Sequence, residues 1–229
     1  MKYDFLKGEV LLFDKPYGWT SFDLVKKIRN LVSKYLGVKK IKVGHAGTLD
    51  PMATGLMILC TGKATKKLEE FQGLDKSYEA GLEFGKTTPS FDAETEADRI
   101  YPWQHITREK LEEILKKYTG TIEQLPPAYS AKRVKGRRAY QLAREGKDVV
   151  LKPQKVTIHE IDILEFDLPH CKLRIDCSKG TYIRSLARDI GFALGSGAYL
   201  TSLRRITIGP YHVDNAMSVS DFEKNLGGM

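Results

Sequence analysis

Cysteine is scarce in this sequence, and the spacing gives it no partner. The three thiols, Cys60, Cys171 and Cys177, are odd in number and include no CxxC pair. Neither a disulfide framework nor a zinc site is indicated. The five histidines, at 45, 105, 159, 170 and 212, are scattered without metal-ligand spacing, so no metal is expected. Free structural thiols in a reducing compartment are the expectation. Long apolar runs are absent as well. Stretches such as Leu56–Cys60 fall far short of the roughly 18 residues a membrane helix needs. The opening MKYDFLKGEV has no apolar signal-peptide core. These absences predict a soluble, cytoplasmic protein with no membrane association.

Nucleotide-binding loops are missing too. Gly62-Lys63-Ala64-Thr65 has its Thr one position late, and Met57 stands where the first glycine of a phosphate loop belongs, which excludes an NTP site. Gly195-Ser196-Gly197 lacks the third glycine of a dinucleotide fingerprint, and the chain has neither a GxSxG elbow nor an HExxH pair.

The chain does have enough material for a core. Its 229 residues are 41% hydrophobic and 29% charged, a globular composition that folds without disulfides or metal. The formal net charge is +8. From Ser130 to Lys155 stand nine basic residues (Lys132, Arg133, Lys135, Arg137, Arg138, Arg144, Lys147, Lys152 and Lys155), opposed only by Glu145 and Asp148. A solvated face would account for such a run. Tyr129 and Tyr140 lie among the cations, however, and that mixture suits a nucleic-acid groove, where phosphates meet charge and bases meet rings.

The hydrophobic pattern predicts an α+β protein. Strands are expected at 9–13, 41–43, 56–60, 76–84, 156–166, 172–177 and 203–208. Thr20-Ser21 should cap a helix with Phe22, Val25, Ile28, Val32 and Tyr35 on its buried face, stopped by Gly37. Further helices are expected near 63–71, 107–118, 137–145, 180–194 and 218–226. The alternating acids Asp92, Glu94, Glu96 and Asp98 read as a solvated edge strand. Strands and helices mix without strict alternation, so the sheet should be mixed and largely antiparallel, flanked by helices. The expected layout is a single domain over 1–229, with the basic stretch at about 125–155 as an insertion.

Residues 44–56 read GHAGTLDPMATGL. Three glycines and a proline between two apolar strands describe a constrained loop, a common seat for catalytic groups. By themselves Asp50-Pro51 fit a turn or cap, and His45 fits a structural hydrogen-bonder. Taken with four other segments they say more. GHAGTLDPMATGL resembles the central motif of the TruB family of tRNA pseudouridine synthases. Asp14-Lys15-Pro16-Tyr17-Gly18-Trp19-Thr20-Ser21 is similar to its DKPxGxTS motif, and Lys76-Ser77-Tyr78 to its KxY motif. The run Gly180 to Asp189 is similar to its GTYIRSLARD motif, and Leu203-Arg204-Arg205 to its LRR segment.

The resemblance covers nearly the whole chain and implies a pseudouridine synthase core. It implies isomerisation of uridine to pseudouridine at position 55 in the T-loop of tRNA. The C1′–N1 bond breaks, the base turns and C1′ rejoins at C5, with no cofactor. It makes Asp50 the nucleophile, attacking ribose C1′ or base C6, and Arg184 the cation that keeps this carboxylate ionised in a closed pocket. Tyr78 would stack on the flipped base, at about 1–3 kcal/mol, against a flipping cost of a few kcal/mol. Tyr182 would line the pocket and Leu203 close its apolar wall. His45 would fill the gap left by the base or contact the tRNA loop, and Lys15 and Pro16 would support the active-site loop. Lys132, Arg133, Arg137 and Arg138 would grip backbone phosphates. The expected protein is a monomer that binds the tRNA T-arm without an obligate protein partner, a short form without the C-terminal RNA-binding domain of many bacterial relatives. Two alternatives are a non-catalytic RNA-binding or remodelling protein on the same fold and a guide-RNA-dependent synthase. Asp50, Tyr78 and Arg184 together weigh against the first.

Overall fold

The computed structural model describes residues 3–227 apart from 131, 135 and 148, with the side chains of 133, 143 and 144 also outside the description. Lys135 and Asp148 of the basic stretch therefore fall outside it, as do the side chains of Arg133 and Arg144. In chain order the elements are β1 (Val10–Lys15), α1 (Ser21–Leu36), β2 (Val43–His45), β3 (Ala53–Thr61), α2 (Leu68–Gly73), β4 (Lys76–Phe84), β5 (Lys86–Thr87), β6 (Arg99–Ile100), α3 (Arg108–Tyr118) and β7 (Gly120–Gln124). They continue with β8 (Arg133–Val134), β9 (Arg137–Arg138), α4 (Ala139–Arg144), β10 (Gln154–Asp167), β11 (His170–Cys177), α5 (Ile183–Ala193), β12 (Ala198–Ile208), β13 (Tyr211–His212) and α6 (Val219–Gly227). The chain divides into two compact units, one of residues 1–78 and 203–229, the other of residues 79–202.

In the first unit, β1 lies antiparallel to β3, with Val10 opposite Cys60 and Lys15 opposite Gly55. The C-terminal part of β12 runs parallel to β3, with Leu203 opposite Ala53. This makes the sheet mixed. Eight of the nine β3 residues, all but Thr54, are buried, as expected of a strand covered on both faces. Leu56, Ile58 and Cys60 pack with Phe71, Ile206, Ile208 and Val213. On the other side Phe13 meets Phe222 of α6 edge-on, ring centroids 5.2 Å apart.

The helix α1 forms because its ends are specified. The Thr20 hydroxyl accepts from the Asp23 N–H, the Asp23 carboxylate accepts from the Thr20 N–H, and Gly37 closes the helix in the left-handed region. Its buried side chains are Leu24, Val25, Ile28 and Val32, each contributing about 1.5–3 kcal/mol by leaving water. Phe22 does not join them. It is 62% exposed, because it sits about 100° around the helix from the middle of that buried arc.

In the second unit β10 pairs antiparallel with both β7 and β11. Alternate residues of β4, among them Ala80, Leu82 and Phe84, are buried, the period-2 pattern of a half-covered strand. The helix α3 is capped by Thr107 and buries Leu111 and Leu115. The expected helix at 180–194 begins at Ile183, since Gly180 holds φ +83° and Thr181 turns back to the Ser178 carbonyl. The expected edge strand at 91–99 is corrected. Only a single bridge, Asp92 opposite Leu200, and the short β6 remain of it, and Asp92 is fully buried rather than solvated. Among the described residues no helix is long and apolar enough to cross a membrane.

Candidate active site

The residues singled out in the sequence lie in both units. In the first, the loop between β2 and β3 carries Asp50, and its shape is held from several directions. The Ala53 N–H donates to the Asp50 carbonyl and the Gly18 N–H to the Pro51 carbonyl. The Ser21 hydroxyl donates to the Leu49 carbonyl and accepts from the Leu49 N–H. Gly55 has φ +103°, and a Cβ there would meet the Arg205 carbonyl oxygen at 2.3 Å. Only glycine allows β12 to approach the end of the loop this closely.

Lys15 sits beneath the loop with its side chain out of contact with solvent. Its ammonium donates to the carbonyls of Pro16 (3.0 Å), Trp19 (2.6 Å) and Pro51 (3.3 Å). Burial pushes it down to about 8, while the charge of Asp50 opposes that shift. Lys15 and the Pro16 carbonyl thus tie the first motif to the peptide next to Asp50. The motif pair Asp14 and Arg204 forms a bidentate ion pair, at 3.1 and 2.7 Å. Arg205, almost fully buried, donates to the carbonyls of Leu56 and Gly47. The sequence offered no role for Arg205 beyond the LRR resemblance.

His45 ends β2, opposite Leu59. Burial holds its imidazole below the ordinary value, so the ring is neutral at pH 7. Leu203 is buried opposite Ala53, three residues beyond Asp50. Tyr78 is nearly buried on β4 at the edge of this unit.

In the second unit, Arg184 opens α5. Its side chain is 5% exposed and its guanidinium donates to the Ser90 carbonyl (3.0 Å) and the Tyr129 carbonyl (2.7 Å). It also lies 3.2 Å from an Asp92 carboxylate oxygen. The other oxygen of Asp92 accepts from the Ser90 hydroxyl and the Glu94 N–H. Beside Asp92, Phe91 holds a left-handed φ of 63°, the one non-glycine to do so among the described residues, and its ring lies under Arg188 at 4.7 Å. Strained backbone of this kind concentrates at functional sites. Tyr182 is clamped through its peptide, since the buried Gln124 amide accepts from its N–H and donates to its carbonyl. Asp92 and Gln124 were missed in the sequence, and no local signal marks either.

The basic insertion folds as a β8–β9 hairpin turning at Gly136, followed by α4. Lys132 is half-buried and Arg138 exposed. Arg137 is ion-paired to Glu145, which also holds Lys147 at 2.8 Å. The Arg133 side chain lies outside the described residues.

Sequence models of two domains match the chain. A TruB family pseudouridylate synthase N-terminal domain matches residues 33–183, and a tRNA pseudouridylate synthase B C-terminal domain matches residues 184–227. A tRNA pseudouridine synthase B of Parabacteroides distasonis is 59% identical over 97% of this chain and 95% of its own length. The protein of the same name from Flavobacterium johnsoniae is 49% identical, over 97% and 98%. Among solved structures, a chain of a Cbf5-Nop10-Gar1 complex is similar at 27% identity and a TM-score of 0.71. A chain of the archaeal box H/ACA sRNP Nop10-Cbf5 complex is similar at 25% and 0.68. These cover 96% and 97% of this chain, which spans about half the length of each solved chain. With the motif residues at the loop ends and strand pairings described, the chain belongs to the TruB family of pseudouridylate synthases.

Proposed function

We propose that this protein isomerises uridine to pseudouridine at position 55 in the T-loop of tRNA, with Asp50 as the nucleophile. Family membership supports the tRNA uridine isomerase reading. The observation that carries the assignment to Asp50 is the loop itself. Ser21 fixes the peptide before this residue and the Ala53 N–H the one after it, with Gly18 and Lys15 holding the next, which is how a reacting carboxylate is pre-organised.

In the reaction the uridine leaves the RNA stack and enters the site. Asp50 meets the ribose–base unit as the C1′–N1 bond breaks. The freed base turns, C5 bonds to C1′, the C5 proton is lost to solvent or a nearby base, and N1 takes up a proton, so the atoms balance without a cofactor. By the family resemblance Arg184, which pairs with Asp92 in its own unit, would supply the cation that keeps Asp50 ionised, Tyr78 would stack on the base, and Tyr182 and Leu203 would line the pocket. His45, neutral at pH 7, occupies the place of the flipped base or touches the loop. Lys15 and Pro16 hold the loop in shape, and Lys132, Arg133, Arg137 and Arg138 contact backbone phosphates, which position RNA without reading sequence. In this reading residues 1–229 act as one catalytic domain, a cytoplasmic monomer that needs no other protein.

The test is incubation of the purified protein alone with an unmodified tRNA transcript, followed by mapping of pseudouridine, with Asp50→Asn in parallel. One new pseudouridine in the T-loop, lost in the variant while tRNA binding stays within several-fold, is the expected result. An active Asp50→Asn overturns the nucleophile assignment. Tight binding without product from the wild type overturns the stand-alone isomerase.

A further inference from the structure

Tyr17 is 72% exposed and Phe22 62%, the two most exposed Phe, Tyr or Trp side chains among the described residues. The active-site roles above use neither. Their exposure is not slackness, since hydrogen bonds hold the backbone between them. Lys15 grips the Pro16 and Trp19 carbonyls on either side of Tyr17. Gly18 donates to the Pro51 carbonyl, and Ser21, next to Phe22, exchanges two hydrogen bonds with Leu49. Leu49 and Pro51 are the immediate neighbours of Asp50. The backbone on either side of both rings is therefore tied to Leu49 and Pro51, the sequence neighbours of Asp50, and the rings themselves are exposed to water.

The chemistry around the rings favours one occupant. Lys26 and Arg29 follow Phe22 at i+4 and i+7, on one face of α1, with Lys26 exposed and Arg29 half-buried. From Lys15 to Leu36 the only acid is Asp23, and its carboxylate is occupied by the Thr20 N–H and hydroxyl. Two rings followed by two cations, with Asp23 the one nearby acid in this stretch and already held by Thr20, match nucleobases followed by phosphates. Flipping a uridine toward Asp50 also strips stacking from the bases next to it, and exposed aromatic faces on backbone tied to the Asp50 loop can replace that stacking.

We infer that Tyr17 and Phe22 stack on the nucleotides adjoining the flipped uridine, and that Lys26 and Arg29 contact the phosphates beyond them. This rests on the reading of Asp50 given under the proposed function. The surface lies in the Asp50-bearing unit, apart in the sequence from the 125–155 insertion.

The experiment measures tRNA-transcript Kd and steady-state kinetics for the wild type, Tyr17→Ala, Phe22→Ala, the double variant, Phe22→Leu and Phe22→Trp. Each alanine variant should bind about 10-fold more weakly and the double variant about 100-fold, with the loss falling on KM rather than kcat. Phe22→Leu should behave as Phe22→Ala does, because leucine keeps the apolar area and loses the π-face. Phe22→Trp should retain affinity. Lys26→Ala should reduce the slope of log K against log salt by about one. Unchanged thermal midpoints confirm folding. A double variant with wild-type Kd, beside a wild type that modifies tRNA, overturns the inference and leaves the proposed function standing. A wild type that does not modify tRNA instead overturns the proposed function. A wild type that sediments as a dimer, with a monomeric double variant of unchanged RNA affinity, assigns the face to a second copy of the chain and also overturns the inference.

Discussion

Arg184 lies 3.2 Å from Asp92, and both side chains are almost entirely shut off from water. The guanidinium is further held by the Ser90 and Tyr129 carbonyls, and the carboxylate by the Ser90 hydroxyl and the Glu94 N–H. The Asp92 oxygen that faces the guanidinium makes no hydrogen bond of its own, so charge alone joins it to Arg184. A lone buried cation of this kind would be costly, and the paired carboxylate and the two carbonyls make it tolerable.

Asp92→Ala should therefore destabilise the fold by about 3–5 kcal/mol, because it leaves Arg184 as a buried unpaired charge. The compensating pair Arg184→Met with Asp92→Leu should recover most of that stability in urea titrations, since apolar replacements of similar volume remove both desolvation penalties. Turnover should stay lost in the double variant. Recovered activity alongside recovered stability would show that Arg184 serves the fold alone.

Much of this architecture could be read in the sequence, for local reasons. The α1 boundaries follow from Thr20, Asp23 and Gly37, all within hydrogen-bond reach along the chain. The hairpin of β10 and β11 follows from two apolar strands and a short turn. Two readings failed because distant partners decided them. The alternating acids from Asp92 to Asp98 carry a strand's period, but Arg184, ninety-two residues later, draws Asp92 inside. Phe22 carries the letter of a core residue at helical spacing, yet the covered arc of α1 is centred elsewhere, and only the packed structure shows where. The GHAGTLDPMATGL loop was recognisable from its glycines and its motif. For Lys15 the family resemblance alone implied a supporting role, and the sequence could not supply the bracing by Ser21 and Arg205.

Lys15 makes the stability depend on pH in an unusual direction. In the folded chain its ammonium loses a proton near pH 8, against 10.5 for the unperturbed group, because burial disfavours the charge. Between those values the unfolded chain binds the extra proton, so the Lys15 contribution to stability rises with pH across that window. Below pH 8 the penalty for the buried charge is fully present. Urea titrations of the wild type and Lys15→Met from pH 7 to 10.5 isolate this contribution. The wild type should gain stability relative to the variant over that range. A pH-independent difference would place the Lys15 pKa at its ordinary value.

All three thiols are buried and outside any disulfide. Burial pushes Cys60 up to about 11 and Cys171 up to about 12, so neither offers appreciable thiolate at neutral pH. The folded protein should resist a chromogenic disulfide reagent at pH 8 and release three equivalents in guanidinium. Prompt modification of one thiol in the native state would reveal local opening of the strand that carries it.

Within the basic insertion, Glu145 holds a cation that the proposed function assigns to the RNA backbone. It holds Arg137 and Lys147, and Arg137 first among them keeps the Glu145 carboxyl down to about 2. All three side chains are exposed, so the ion pairs add little to stability, and phosphates can displace the carboxylate. Glu145→Gln should leave the fold as stable as before and tighten tRNA binding about 3-fold to 10-fold at low salt. The slope of log K against log salt should steepen by one to two, as freed cations release further counterions. Arg137→Ala added to that variant should return about one unit of slope. An identical salt slope in wild type and Glu145→Gln would mean that these cations do not face the RNA backbone, and the insertion would lose its role as the gripping element.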